Sequence, residues 1–327
     1  MPAPVNGGFQ RGARVILAGI DEAGYGPRLG PLVVAASAFR SACSAARHDA
    51  WPQCRFLCGP GPLVVGDSKS LYPAGGMAAL ESVVLGFAAS RSSRPVDLAE
   101  FLEMFAAEGA GSARSLPWYS WRNPALPRSV APCVVEISAR QASEALRGAS
   151  LEYLWTRVCV VDEARYNQLL LRIGNKAMLL FGRNALLMRR LWDELGADGV
   201  YLTVDRHGGR KFYAGLLDIV FPDAGIAVLR ETDDESAYRL EGRDGRCMFV
   251  RFVVRAEGVD SSVALSSMWA KYVRELFMGL FNDYWLSRAG SVKPTAGYWV
   301  DGERFVADLR AAGVVSDADA QRLIRWK

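Results

Sequence analysis

The chain has 327 residues, of which 50% are hydrophobic, 10% aromatic and 23% charged, and its formal net charge is +4. This composition is that of a globular protein with one large domain or two modest ones, and the small positive charge is compatible with a nucleic-acid partner. Two histidines and six scattered cysteines argue against a zinc site. No apolar run approaches the ~20 residues of a membrane-spanning helix and no signal peptide is evident, so we expect a cytoplasmic protein.

Two short apolar runs near the N-terminus, 15–20 and 31–39, predict adjacent strands behind a flexible leader at 1–13. Asp21 and Glu22 follow the first run directly. A strand end is a rigid support for a carboxylate, although two adjacent acids taken alone are more often a solvated strand end. The acids therefore need further support from the rest of the sequence.

The segment between these strands is rich in glycine and proline, which lets a ligand approach the backbone closely. It reads Asp21-Glu22-Ala23-Gly24-Tyr25-Gly26-Pro27, followed by Gly30-Pro31. This segment resembles the first motif of the ribonuclease HII/HIII family, in which an arginine usually stands at the position of Tyr25. The resemblance implies a catalytic role for the two acids. The substrate-binding residues that it implies in this segment are Gly24, Tyr25, Gly26 and Arg28.

A second short motif, Asp67-Ser68-Lys69, precedes a helix predicted at about 75–90. Taken alone, the aspartate or serine is a helix cap and the lysine is a surface residue. The family has the same three residues before a helix, which implies that Lys69 faces the nucleic-acid backbone. Both interpretations stay open.

Residues of about 91–150 form an insertion relative to a compact member of the family. They contain an acidic helical stretch at 96–107 and an aromatic tract with Trp118, Tyr119 and Trp121. Such a tract beside arginines can stack nucleic-acid bases, but more often it packs a loop onto the body of a protein. The sequence leaves both possibilities open.

A strand pattern from Leu154 leads into a long amphipathic helix predicted at about 163–195, which we interpret as core scaffolding. The next buried-type strand begins at Val200 and ends at Asp205, before a basic glycine turn. A third acid at a strand end suggests converging carboxylates, and the third acid of the family has this context. Lys211 adds positive charge that could neutralise a phosphate.

Residues 226–255 predict a β-hairpin whose strands flank a polar connection containing 242–245. A helix of small residues follows and contains Ala-Lys at Lys271, which resembles the fourth motif of the family, where an acid precedes the helix. Counting back without gaps places Glu257 at the position of that acid. Asp260 is the fallback, and it would require a local shift.

The tail at 297–313 resembles a family segment that contacts the DNA strand, and Tyr298, Lys293 and Arg325 are candidates for this contact. The leader is too short for the extra N-terminal domain of ribonuclease HIII, so we expect a divergent ribonuclease HII. The expected domains are the leader at 1–13, a catalytic domain at 14–285 and a C-terminal helical substrate-binding extension at 286–327.

The expected catalytic acids, which are also the expected metal ligands, are Asp21, Glu22, Asp205 and Glu257. Carboxylates are hard oxygen ligands, which suit Mg²⁺ or Mn²⁺, and four of them together would repel one another without cations. Two divalent ions can activate a water and stabilise the leaving oxygen during phosphodiester hydrolysis. The backbone of the glycine-rich segment would then read the ribose 2′-hydroxyl, which distinguishes RNA from DNA.

The resemblance implies a ribonuclease H-like α/β fold with a central mixed β-sheet flanked by helices. It implies a metal-dependent endoribonuclease that hydrolyses the RNA strand of RNA–DNA hybrids, or embedded ribonucleotides, by a two-metal mechanism. The partner is then an RNA–DNA hybrid duplex, and we expect neither a membrane nor an obligate protein partner. The alternatives are a nuclease of the same fold for a branched or structured nucleic acid, and a non-catalytic nucleic-acid-binding protein.

Overall fold

The computed structural model describes residues 14–41, 52, 54–56, 65, 68–206 and 208–326, with only the backbone described at 68–75 and 317. The leader expected at 1–13 lies outside the described residues. Within them, one sheet contains β1 (Val15–Ala23), β2 (Leu32–Ser41), β3 (Ala106–Glu108), β4 (Leu151–Val161), β5 (Val200–Asp205), β6 (Ala224–Glu231), β7 (Glu235–Gly242) and β8 (Cys247–Val253).

Helices surround this sheet. They are α1 (Ser68–Arg91), α2 (Leu98–Phe105), α3 (Ala110–Arg114), α4 (Pro117–Ser120), α5 (Pro132–Gly148), α6 (Glu163–Ile173), α7 (Lys176–Leu195), α8 (Ala214–Val220), α9 (Ser261–Ala289), α10 (Trp299–Ala311) and α11 (Asp317–Leu323). Short 3₁₀ turns lie at Gly196–Asp198 and Ala256–Gly258. In the described part of the chain, no helix combines the length and the apolar character needed to cross a membrane.

The sheet is mixed, with the strand order β3-β4-β2-β1-β5-β8-β7-β6. β2 runs antiparallel to β1 and β4, whereas β5 runs parallel to β1 and β8. The predicted mixed sheet flanked by helices, with a helical C-terminal region, is therefore confirmed. Because β1, β5 and β8 are neighbouring parallel strands, their carboxyl ends meet at one edge of the sheet.

β1 lies inside the sheet and is buried on both faces, so its sequence is apolar almost throughout rather than alternating. Val15 and Leu17 pack into a core shared with α1, α5 and α9, whereas Ile16 and Ala18 pack into a core shared with α6 and α7. Continuing this alternation along the strand directs Asp21 toward α9.

The segment predicted as one helix at 163–195 is divided into α6 and α7. Gly174 ends α6 in a left-handed conformation with a φ of 68°. Asn175 then caps α7 by accepting hydrogen bonds from the N–H groups of Ala177 and Met178. A glycine C-cap followed directly by an asparagine N-cap outweighs the continuous helical periodicity, and the prediction of a single helix was wrong.

The hairpin predicted at 226–255 is a three-stranded antiparallel unit. Its polar connection contains β7, which pairs with β6 on one side and β8 on the other. Tyr238 and Leu240 of β7 are buried, whereas Arg239 and Glu241 are not. Because few apolar residues alternate in this strand, it was wrongly interpreted as part of a polar connection between two strands.

The aromatic tract of the 91–150 segment packs against α9. Trp118 and Tyr119 are 3% and 0% exposed. Their ring centroids lie 5.9 Å from Trp285 and 4.9 Å from Phe277, respectively. Base stacking by these two rings is therefore excluded, because both are enclosed by apolar side chains of the protein core.

Candidate active site

Asp21 and Asp205 lie side by side at the carboxyl ends of two parallel strands. β1 and β5 are paired with Ile20 opposite Val204, so the next residue of each strand is one of these acids. Asp21 is 7% exposed and Asp205 is half-buried. Rigid, hydrogen-bonded strands thus hold two carboxylates at one edge of the sheet.

Glu257 reaches the same edge from the third parallel strand. After β8 the chain turns at Arg255, whose left-handed φ of 56° leads into the 3₁₀ turn that contains Glu257. The N–H of Ala256 donates a hydrogen bond to Asp205 Oδ1 over 3.0 Å. This bond fixes the turn against the end of β5.

The three carboxylates interact electrostatically. Burial, together with the negative charges of Asp205 and Glu257, raises the pKa of Asp21 to about 7. The hydroxyl of Ser267 and the N–H of Glu22, which lies 2.7 Å from Asp21 Oδ1, donate hydrogen bonds that oppose this increase. A pKa near neutrality means that the cluster resists carrying three negative charges without a cation.

Glu22 directly follows Asp21 in β1. Adjacent residues of a strand point to opposite faces, so the side chains of Asp21 and Glu22 diverge. Burial and the charge of Glu22 raise the pKa of Tyr25, which places Glu22 near that ring. The ring also lies 4.6 Å from the ammonium nitrogen of Lys176 on α7. Glu22 therefore lies near the aromatic residue of the glycine-rich segment.

Asp260, at the start of α9, binds groups of the protein itself. Its carboxylate accepts hydrogen bonds from the N–H of Ser262 over 3.0 Å and from the hydroxyl of Thr203 over 3.2 Å. It also lies 3.7 Å from the guanidinium of Arg251, and it is 4% exposed. These contacts are those of an N-cap residue with a buried cation, which leaves Glu257 as the acid that faces Asp21.

Residues 24–31, here called the glycine loop, connect β1 to β2. Gly24 has a φ of 85°, and a Cβ at this position would come within 2.7 Å of Arg274 Nε. Arg325 donates hydrogen bonds to the carbonyls of Gly24, over 2.6 Å, and Pro27. Because Arg325 is 2% exposed and engaged inside the protein, the expectation that it contacts a DNA strand was wrong.

Arg28 and Tyr298 lie where the glycine loop meets α10. The Arg28 guanidinium forms an ion pair with Glu303 at 2.6 Å and lies 4.3 Å above the ring of Trp299. Tyr298 is 56% exposed, and its ring lies 5.9 Å from the guanidinium of Arg274. Arg28 is half-buried and Glu303 is exposed, so we expect this ion pair to contribute little to stability.

The basic residues expected to contact the nucleic acid differ in their surroundings. Lys211 is exposed and forms an ion pair with Asp233, while Lys293 is exposed beside α10. The backbone of Lys69 belongs to α1, but its side chain lies outside the described residues, as does Asp67. The motif 67–69 thus stays a prediction.

Within the described residues, no group of three or more His, Cys, Asp or Glu side chains is arranged to hold a metal ion. The donor chemistry of Asp21, Asp205 and Glu257 still suits a hard divalent cation, because all three are carboxylates. Burial and the neighbouring carboxylates raise the pKa of Asp21 to about 7, and a cation bound beside it would oppose this increase.

No protein-family model matches the chain, and no curated protein sequence does. Among solved structures, it is similar to ribonuclease HII from Archaeoglobus fulgidus in complex with PCNA, at 15% identity and a TM-score of 0.40 over 95% of each chain. Bst-RNase HIII in complex with Mn²⁺ is 17% identical at a TM-score of 0.37, over 97% of this chain and 67% of that one. Ribonuclease H2 from Pyrococcus horikoshii OT3 is 13% identical at a TM-score of 0.38, over 95% of this chain and 94% of that one. Because all three TM-scores are below 0.5, these similarities say nothing about the function of this chain. The positions of the side chains are the observations that bear on function.

Sequence reasoning missed the residues that hold the glycine loop in place. Arg274 is 3% exposed and donates a hydrogen bond to the carbonyl of Ala296 over 2.9 Å. Glu163 accepts a hydrogen bond from the N–H of Gly30 over 3.0 Å. Glu163 belongs to the segment that was interpreted as scaffolding, and Arg274 belongs to the helix that resembles the fourth motif of the family. Neither pattern predicts that these charged side chains are buried.

Proposed function

We propose that this protein is a metal-dependent endoribonuclease that hydrolyses the RNA strand of RNA–DNA hybrids, or ribonucleotides embedded in DNA, by a two-metal mechanism. The observation that carries the proposal is the meeting of Asp21, Asp205 and Glu257 at one sheet edge, where burial and the other two carboxylates raise the pKa of Asp21 to about 7. A protein that only binds nucleic acid gains nothing from negative charge placed against phosphates.

In this proposal Asp21, Asp205 and Glu257 hold divalent cations, either Mg²⁺ or Mn²⁺, and Glu22 is the fourth expected ligand. When bound, such ions supply positive charge to the reacting phosphate and help to generate the attacking hydroxide. The chain itself supplies rigidity, because two of the acids are anchored at the ends of β1 and β5. Ser267 orients Asp21 by donating a hydrogen bond to its carboxylate.

The glycine loop is the proposed reader of the ribose. Gly26 is exposed, and among the described residues other than its chain neighbours no atom lies within 4 Å of the position that its Cβ would occupy, so a ligand can approach the backbone there. Backbone groups at Gly24 and Gly26 would contact the 2′-hydroxyl, which DNA lacks. Arg28, Lys69, Lys211 and Tyr298 are the proposed contacts to the nucleic-acid backbone.

Tyr25 favours a second candidate, a nuclease of the same fold that acts on a branched or other structured nucleic acid. A tyrosine cannot form the phosphate contact of the arginine that usually stands at this position in the family. Its ring is instead half-buried beside Lys176. This candidate keeps the requirement for a divalent ion but loses the requirement for a 2′-hydroxyl in the substrate.

Cleavage of a substrate panel tests the proposal. The panel contains an RNA–DNA hybrid, a DNA duplex with one ribonucleotide, an all-DNA duplex and a branched DNA, each with Mg²⁺, Mn²⁺ or a chelator. We expect cleavage only at ribonucleotides, only with a divalent ion, and none by Asp21→Asn. Cleavage of the branched DNA without any ribonucleotide would support the second candidate. If the folded wild-type protein cuts no substrate with either ion, both candidates are wrong.

A further inference from the structure

We infer that Glu163 and Tyr119 form a buried pair that positions the glycine loop, which makes the 91–150 segment part of the substrate-binding apparatus. The inference rests on the proposed function for the role of the loop, and it deepens that function by assigning residues that contact neither the acid cluster nor solvent. The hydrogen bonds that carry it do not depend on which nucleic acid is cleaved.

Glu163 is fully buried at the first position of α6. Its Oε1 accepts two hydrogen bonds, one from the N–H of Gly30 over 3.0 Å and one from the hydroxyl of Tyr119 over 2.8 Å. Its Oε2 is buried without a hydrogen-bond partner among the described residues. Burying a carboxyl group in this way costs free energy. These contacts anchor the Gly30 end of the loop and connect it to Tyr119.

Tyr119 brings its hydroxyl to this carboxyl group from the 91–150 segment. The residue is completely buried in α4, and its ring packs edge-to-face on Phe277 of α9. α9 is also the helix whose Ser267 donates a hydrogen bond to Asp21. One helix therefore sets both the orientation of the expected catalytic acid and the position of the Tyr119 hydroxyl.

The opposite end of the glycine loop is held by Arg325, through the carbonyls of Gly24 and Pro27. The titratable and charged groups that face Glu163 are Tyr119, Asp162 and Arg325. The N–H groups of Arg28 and Leu29 also donate hydrogen bonds to the carbonyl of Gly297. Loss of the Glu163 anchor would therefore loosen the loop at its Gly30 end, next to these bonds, and leave the acid cluster in place. The pair thus acts on substrate binding rather than on the chemical step.

Substitutions can separate this positioning role from general stability. Glu163→Ala removes both hydrogen bonds, Tyr119→Phe removes only the hydroxyl, and Glu163→Gln keeps an oxygen that can accept both bonds. Tyr272→Phe is the matched control. The Tyr272 hydroxyl donates a hydrogen bond to Glu81 Oε1 over 2.9 Å. Glu81 is also a buried glutamate, but it accepts a backbone hydrogen bond from the N–H of Arg128 and not from the glycine loop.

The first readout is amide hydrogen exchange of residues 24–31 in the protein without substrate. Loss of one buried hydrogen bond changes a local opening equilibrium by about tenfold, so we expect exchange at Gly30 to accelerate by about this factor in Glu163→Ala. Tyr119→Phe should show a smaller acceleration, while Glu163→Gln and Tyr272→Phe should exchange as the wild type does in this loop. Unchanged exchange at Gly30 in Glu163→Ala would overturn the inference.

The second readout is the kinetics of cleavage of a ribonucleotide-containing duplex. Glu163→Ala should raise KM by about tenfold and leave kcat within about threefold, because the acids are untouched. Glu163→Gln should restore the wild-type KM. An equal fall of kcat in Glu163→Ala and Tyr272→Phe would show that the pair has only a structural role. If the wild type cuts no substrate, the proposed function fails, and the exchange measurement still decides whether the pair positions the loop.

Discussion

At the scale of single residues, the buried Asp21 carboxyl group shows that the arrangement of the site lowers the stability of the folded protein. It is almost fully buried, and the charges of Asp205 and Glu257 add to the effect of burial on its pKa. Ser267 and the backbone of Glu22 hold the carboxyl group in one orientation. Groups with pKa values perturbed in this way are typical of catalytic and metal sites, where stability is exchanged for function.

The pKa of Asp21 predicts how stability depends on pH in the metal-free protein. The pKa of about 7 in the folded state exceeds the ordinary aspartate pKa of 3.8, so the folded state binds more protons than the unfolded state between these values. The free energy of unfolding should therefore fall as the pH rises from 5 to 8. Asp21→Asn removes this loss and should be more stable than the wild type at pH 8, by up to about 4 kcal/mol. Urea denaturation at both pH values measures the effect.

Glu163 adds a contribution of the same sign, because burial raises its pKa to about 7 as well. The decisive quantity is thus the difference in pH dependence between the wild type and Asp21→Asn. Equal pH dependence in the two proteins would contradict the electrostatic description of the cluster. Saturating Mg²⁺ at pH 8 should stabilise the wild type and leave Asp21→Asn nearly unchanged.

The contacts of Glu257 and Asp260 predict opposite effects for the same chemical change. Glu257→Gln should lower the cleavage rate by about 100-fold or more without lowering the melting temperature, because it removes an expected metal ligand. Asp260→Asn should lower the melting temperature, because it removes the charge beside buried Arg251, while cleavage stays within about threefold of the wild type. Cleavage assays and thermal denaturation of both variants measure this. The reverse pattern would assign the fourth acid to Asp260.

At the scale of elements, the position of α9 on β1 determines the geometry of the site. Gly19 lies on the face of β1 that contacts α9, and a Cβ at this position would overlap the backbone nitrogen of Val263. The hydroxyl of Ser266 donates a hydrogen bond to the carbonyl of Gly19 over 2.9 Å. The small residues that the sequence places along this helix therefore meet a glycine on the strand, and the close approach brings Ser267 to Asp21.

A methyl group at Gly19 should push α9 away from β1. We expect Gly19→Ala to lower the free energy of unfolding by about 1–3 kcal/mol or more and to reduce cleavage as well. Gly182→Ala is the matched control, because a Cβ there meets no atom within 4 Å from other parts of the described structure, and because alanine favours the interior of α7. Urea denaturation should show a loss for the first variant and no loss for the second. Similar stabilities would mean that α9 is not packed as described.

The sequence predicted these elements to an uneven degree. The strand before Asp21, the strand before Asp205 and the helix after Asp260 were predicted correctly, because runs of apolar or small residues identify them. The break at Gly174 was missed because the apolar periodicity continues on both sides of it. β7 was missed because its polar residues dominate over a few buried ones.

At the scale of the whole molecule, the site is assembled from segments that are distant in the sequence. The resemblance to the family, together with two strand ends, pointed to Asp21, Asp205 and Glu257, and the structure brings these acids to one edge of the sheet. The sequence could not reveal that Arg325 and Tyr119 support the glycine loop, because these contacts exist only after the C-terminal segment and the 91–150 segment have packed. Buried polar contacts between remote segments leave no periodic signal in a sequence.

The most direct test of the central claim is a calorimetric titration of the metal-free protein with Mn²⁺ at pH 8. We expect the wild type to bind Mn²⁺, Asp21→Asn and Glu257→Gln to lose this binding, and Asp260→Asn to keep it. Equal binding by the wild type and Asp21→Asn, or no binding by the folded wild type, would contradict the claim that these carboxylates form a cation site.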